Sequence, residues 1–113
     1  MPKITKEGRI KKEFERLSEI YSVLPKNKKA IVTPLLENAA FMKITLEDLQ
    51  KVINEEGYSD EYKNGENQYG KKASAEMQSY NAMIKNYNTV SDRLEKLLPP
   101  EARKSRLEAL RDE

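Results

Sequence analysis

The chain has 113 residues, of which 37% are hydrophobic and 35% charged, with a formal net charge of +2. This length is typical of one domain with a modest core, and so high a charge content is typical of extended helices with solvated outer faces. The sequence contains no cysteine and no histidine. That composition excludes disulfide frameworks, thiol nucleophiles, the common zinc sites and histidine-based catalysis.

The charges are unevenly distributed along the chain. Lys and Arg outnumber acidic residues nine to four in residues 1–36 and nine to seven in residues 71–113, whereas acidic residues lead eight to three in residues 37–70. No run approaches the roughly 20 apolar residues of a membrane span, and the first residues lack the apolar core of a signal peptide. We therefore expect a soluble cytoplasmic protein.

The first element is a helix predicted over residues 6–23. Its apolar positions are spaced by four, three, four and three residues, as on one helix face: Ile10, Phe14, Leu17, Tyr21 and Leu24. Thr5 is a candidate N-cap, and Pro25 predicts the end of the helix.

A longer helix is predicted over residues 28–56, with Asn27 as N-cap and Gly57 as the C-terminal stop. Its apolar stripe consists of Val32, Leu35, Ala39, Met42, Leu46, Leu49 and Ile53. Pro34 implies either a kink or a junction of two helices, and the unbroken apolar phase favours one bent helix. Thr45 and Asp48 also resemble a capping box, which leaves a helix-turn-helix here as the less favoured alternative.

Residues 57–72 are predicted to form an extended loop. Asn64-Gly65 is a type I′ turn signal flanked by tyrosines, so this loop could form a short β-hairpin.

A second long helix is predicted over residues 74–98, from the N-cap Ser74 to Pro99-Pro100. Its apolar face is wider than one partner helix can cover, which indicates packing on both the long helix and the first helix, or on another subunit. The residues expected at such a subunit contact are Met77, Tyr80, Met83, Tyr87, Val90 and Leu97. The predicted fold is all-α: a long antiparallel helical hairpin with an N-terminal packing helix and a short C-terminal helix over residues 100–111.

Two further groups of residues are candidates for partner contacts. Lysine and arginine in the N-terminal region could contact DNA phosphates, although such charges can also serve solvation alone: Lys11, Lys12, Arg16, Lys26, Lys28 and Lys29. The C-terminal helix carries few apolar anchors, so it could fold onto a protein partner through Arg103, Lys104, Arg106, Leu107 and Leu110.

Several segments together resemble the small terminase subunits of tailed bacteriophages. They are LENAAFM (36–42), TLEDL (45–49), the Glu56-Gly57 stop, the Asn64-Gly65 loop, YN to KNY (80–87) and LLPPEAR (97–103). The resemblance implies a non-enzymatic subunit that recognises double-stranded viral DNA, assembles as a homo-oligomeric ring and presents the DNA to the large ATPase and nuclease subunit. Many members carry an N-terminal helix-turn-helix, whereas residues 4–24 are too short to form one.

The alternative to a DNA-recognition subunit is a helical oligomeric scaffold or regulatory interaction protein without DNA binding. An enzyme is disfavoured, because acidic neighbours such as Glu55 and Glu56 diverge on a helix. No cofactor or metal site is expected.

Overall fold

The protein is described by a computed structural model that covers residues 4–63 and 69–102, with the backbone alone at 60–63 and 69–72. The elements are α1 (Lys6–Ile20), a 3-10 turn (Tyr21–Val23), α2 (Lys26–Glu56), strands β1 (Ser59–Lys63) and β2 (Tyr69–Ala73), and α3 (Ala75–Leu97). Residues 100–102 begin a further helical turn. The prediction of an all-α protein is confirmed, because α-helices dominate the described chain.

The helix ends follow from local capping. The hydroxyl of Thr5 accepts a hydrogen bond from the Gly8 amide at 3.0 Å, and Ser74 caps α3 through the Met77 amide at 3.1 Å. Gly57 ends α2 with φ +88° and ψ 175°, a backbone conformation that residues other than glycine rarely adopt.

The start of α2 differs from the prediction. The helix begins at Lys26 with Pro25 at the N-cap, so Asn27 lies within the first turn, where its side-chain oxygen accepts from the Lys28 amide at 3.0 Å. Proline suits this position because its φ is already fixed near the helical value. The 3-10 turn at Tyr21–Val23 likewise replaces the last turn predicted for α1.

Helix α2 continues without a break through Pro34 and Thr45, the two positions where the sequence allows an interruption. It passes through Pro34 as a single helix of 31 residues. It also continues through Thr45, whose buried hydroxyl finds no hydrogen-bond partner among the described residues. The capping-box interpretation of Thr45 is therefore wrong.

The three helices alternate in direction. Gln50 near the end of α2 donates a hydrogen bond to the Tyr80 hydroxyl near the start of α3 at 2.9 Å, and Val32 shares a cavity wall with Leu97 at the opposite ends of these helices. Helix α1 lies against α2, likewise antiparallel, with Arg9 bonded to Asp48. Strands β1 and β2 pair antiparallel between α2 and α3. The Asn64-Gly65 turn lies outside the described residues.

The core lies where all three helices meet. Its buried residues are Leu17, Tyr21, Leu24, Val32, Leu36, Ala39, Ala40, Leu94 and Leu98. Leu36 is 2% exposed, whereas Leu35, which was assigned to the buried stripe, is 37% exposed. Leu36 is buried because α2 is covered on two sides. Together with Ala40 and Ile44 it forms a second buried stripe.

Candidate nucleic-acid interface

The six cations predicted to contact DNA are all exposed and lie in two groups. Lys11, Lys12 and Arg16 lie on α1, while the others occupy the first turn of α2. Lys11 and Lys12 are adjacent on a helix and therefore diverge by about 100°. The structure therefore does not bring all six onto one surface.

Lys12 and Arg16 line a groove between α1 and α2, which we call the basic groove. Its volume is about 490 Å³. The lining residues are Ile4, Arg9, Lys12, Glu13, Arg16, Lys43, Ile44 and Glu47. The groove thus combines two predicted residues with two cations that the sequence analysis missed, Arg9 and Lys43.

Glu13 organises the centre of the basic groove. Its side chain is only 6% exposed and accepts from Arg16 through both carboxylate oxygens, at 2.6 and 2.8 Å. Lys43 of α2 lies 3.3 Å from the Oε2 atom. Burial raises the pKa of Glu13, but the Arg16 hydrogen bond and the charges of Lys43 and Arg16 outweigh burial and lower it overall. Glu13 is therefore a carboxylate that holds two cations in place.

Arg9 joins the two helices at the other end of the groove. Its Nη1 donates to Asp48 at 2.6 Å and its Nη2 donates to Glu47 at 3.0 Å. The hydrogen bonds to Asp48 and then Glu47 raise the pKa of Arg9. Lys12, by contrast, is exposed and forms no ion pair with any described residue. The excess positive charge of the groove is therefore most available at Lys12.

The lysines at the start of α2 lie around different sides of that helix. Lys28 lines an apolar groove with Leu24, Ile31, Val32 and Leu97. Lys29 instead lines a small cavity on the α1 side. No acidic residue occupies the first turn of α2, so the positive end of the helix dipole is not compensated there.

The residues predicted to join subunits divide into two kinds. Tyr87 and Val90 pack against the core of their own chain, and the Tyr80 hydroxyl is bonded to Gln50. Met77 and Met83 are half-buried, and Leu97 is 42% exposed. Leu97 is therefore the most accessible of the six.

Arg103, Lys104, Arg106, Leu107 and Leu110, the residues predicted to bind a protein partner, lie outside the described residues.

Residues 4–63 and 69–102, the part of the chain that the structure describes, contain neither a metal-ligand cluster nor a membrane-spanning helix. No three acidic, histidine or cysteine side chains are grouped there as a metal site would require. No helix in those ranges is both long enough and apolar enough to cross a membrane.

The groove could have been anticipated in part from the sequence. Arg9 and Glu13, and likewise Lys43 and Glu47, are spaced i,i+4 beside the apolar stripes, which places each pair on one helix face. Nothing in that spacing indicates that the two pairs face each other.

Comparisons with protein-family models, with curated proteins and with solved structures gave no match to this chain.

Proposed function

We propose that this protein is a non-enzymatic DNA-recognition subunit of a viral genome-packaging machine, similar to the terminase small subunits of tailed bacteriophages. It binds double-stranded viral DNA, assembles as a homo-oligomeric ring and presents the DNA to the large ATPase and nuclease subunit. The observation that carries the proposal is the basic groove, where cations from α1 and α2 converge on one open surface.

The chemistry of the groove suits a phosphate backbone. Arg9, Lys12, Arg16 and Lys43 line it together with only two carboxylates, so its lining residues carry net positive charge. Arg9 uses one donor on each of Nη1 and Nη2 in its ion pairs, and a guanidinium has five donors. Contacts of this kind provide affinity and position without reading base sequence.

The shape of the chain supports assembly. Its radius of gyration is 18.6 Å, against about 13 Å for a compact domain of this length. Its accessible surface is 8782 Å², against about 6,400 Å² expected for a compact monomer of this mass. Leu35 and Tyr58 are among the apolar side chains left accessible. A ring of sister subunits would bury such a surface.

The order of elements also supports the proposal. Helix α2, its Gly57 stop and helix α3 follow one another in the same order as the segments that resemble the terminase small subunits. We assign recruitment of the large subunit to the C-terminal segment that includes Arg103 and Leu107, for which the sequence predicts a helix over residues 100–111.

The test is a fluorescence-anisotropy titration of a labelled DNA duplex with the full chain between about 50 and 200 mM salt. We expect log K to fall by about 0.9 per phosphate contact per log unit of salt. Lys12→Gln should weaken DNA binding and reduce that slope by about 0.9. Lys12→Arg keeps the positive charge and should retain the affinity and the slope of the parent chain. Lys85→Gln, which removes an exposed charge from α3, is the matched control and should change neither. A flat salt response would exclude the DNA contact.

A helical scaffold or regulatory interaction protein without DNA binding is the second candidate. It is favoured by one observation, namely that Arg9, Arg16 and Lys43 already have carboxylate partners within the chain. Native mass measurement combined with a DNA shift assay distinguishes the two, because a scaffold would assemble without shifting the duplex.

A further inference from the structure

An apolar groove opens at the end of the bundle where α2 begins and α3 ends, and we call it the end groove. It is lined by Leu24, Lys28, Ile31, Val32 and Leu97 and has a volume of about 200 Å³. Leu24 and Val32 are buried at its floor. Ile31 and Leu97 remain 70% and 42% exposed on its walls. Exposed aliphatic walls around an apolar floor are typical of a docking surface.

The size of the end groove indicates what kind of occupant it can take. Sites for small molecules usually span about 300–1,000 Å³ and combine apolar walls with several polar groups. The end groove is smaller, and four of its five lining residues are aliphatic. It therefore suits one or two apolar side chains that project from a larger partner.

The charges around the end groove indicate which charge a partner must carry. Lys28 is the charged residue in its lining. Arg93 lies one turn before Leu97 on the same face of α3 and is exposed. The positive end of the α2 dipole and the negative end of the α3 dipole meet at this groove and offset each other, so the side-chain charges of Lys28 and Arg93 set its sign. A complementary occupant carries carboxylates beside its apolar side chains.

We propose that the end groove docks an amphipathic helical segment of another protein, whose apolar side chains at i and i+3 or i+4 enter the groove and whose flanking carboxylates face Lys28 and Arg93. This is helix-in-groove recognition with an electrostatic rim. The proposal goes beyond the DNA contact and does not rest on it, because the basic groove uses other residues.

The test uses two labelled synthetic helical peptides with the same leucine spacing, one flanked by glutamates and the other by lysines. Anisotropy titration of the full chain should give saturable binding of the acidic peptide and about tenfold weaker binding of the basic one. Ile31→Gln should weaken binding of the acidic peptide by about tenfold, since it removes an apolar anchor. Lys28→Glu should abolish the preference between the two peptides, because the new carboxylate offsets the positive charge of Arg93.

Folding does not confound these variants. Ile31 and Lys28 are both exposed, and thermal unfolding of each variant should match that of the parent chain. Phe41→Gln is the matched control, because Phe41 is 47% exposed but lies outside the lining of the end groove, with Lys6 over its ring. It should leave peptide affinity unchanged.

Three outcomes would overturn the proposal. Equal affinity for the two peptides would remove the charge complementarity. If Ile31→Gln dissolved a self-associated species in sedimentation and left peptide affinity unchanged, the occupant would be a second copy of the chain. If Lys28→Gln weakened DNA binding as strongly as Lys12→Gln and left the peptide bound, Lys28 would serve DNA. If the parent chain did not bind DNA, that result would contradict the proposed function but not the peptide-docking proposal.

Discussion

Glu13 of α1 and Lys43 of α2 form an ion pair of 3.3 Å in which the carboxylate is almost fully buried and the ammonium is 35% exposed. This ion pair and those of Arg9 with Glu47 and Asp48 join two helices that otherwise approach through apolar residues. The same carboxylate also binds Arg16. Because one acidic group neutralises two cations, its removal should affect both helix docking and the charge of the groove.

Glu13→Gln should destabilise the fold by about 1–2 kcal/mol, between the values for exposed and buried ion pairs, because Lys43 and Arg16 keep partial access to water. Urea denaturation followed by circular dichroism measures this change. The matched control is Glu15→Gln, an exposed glutamate on the same helix, which should change stability by less than about 0.5 kcal/mol. Equal effects of the two substitutions would contradict a structural role for Glu13.

The contribution of Glu13 should depend on pH in one direction. Its folded-state pKa lies below the ordinary value of 4.5, so folding favours the ionised carboxylate. The stabilisation is therefore complete at pH values above 4.5 and is lost as the pH falls through the lowered pKa. Thermal unfolding of the parent and Glu13→Gln should differ at pH 7, and the difference should shrink as the pH falls below 4.5. A difference that grew on acidification would have the wrong sign.

Local signals predicted the start of α1, the end of α2 and the start of α3, whereas contacts distant in sequence were not predictable. The capping hydrogen bonds of Thr5, Ser74 and Gly57 are made with residues three or four positions away. Their roles therefore follow from residue type and position. Arg9 and Asp48 are 39 residues apart, and no periodicity indicates that they meet. The basic groove depends on such pairings, and for this reason the sequence supplied only Lys12 and Arg16 among its cations.

The buried stripe of α2 shows a different limit. The three-and-four spacing that contains Leu35 describes one face, but a helix between two neighbours buries a wider surface. Leu36→Ala should therefore cost about 2–5 kcal/mol, as for other buried leucines, whereas Leu35→Ala should cost less than about 1.5 kcal/mol. Parallel denaturation of the two variants tests this order. The reverse order would mean that α1 does not cover α2 as described.

Pro34→Ala should stabilise the protein. Pro34 is exposed inside α2 and has no amide hydrogen for the carbonyl four residues earlier. Alanine restores that hydrogen bond and has the higher helix propensity, so we expect a gain of about 1–3 kcal/mol in denaturant unfolding. Asn38→Ala, an exposed substitution in the same helix, is the control and should gain less than about 0.7 kcal/mol. A loss on Pro34→Ala would show that the proline sets a helix direction which the packing requires.

Gly57→Ala should destabilise the junction between α2 and β1 through backbone strain alone. The φ of +88° disfavours any residue with a Cβ, yet a Cβ built there meets no atom within 4 Å. Without a clash, the expected cost is the conformational one, about 1–3 kcal/mol. Gly8→Ala is the contrasting variant: Gly8 lies inside α1, where alanine favours the helix, but its Cβ would lie 3.2 Å from Ile4. Denaturation of both variants separates the backbone strain expected at Gly57 from the side-chain crowding expected at Gly8. No change in stability on Gly57→Ala would mean that α2 ends in another conformation.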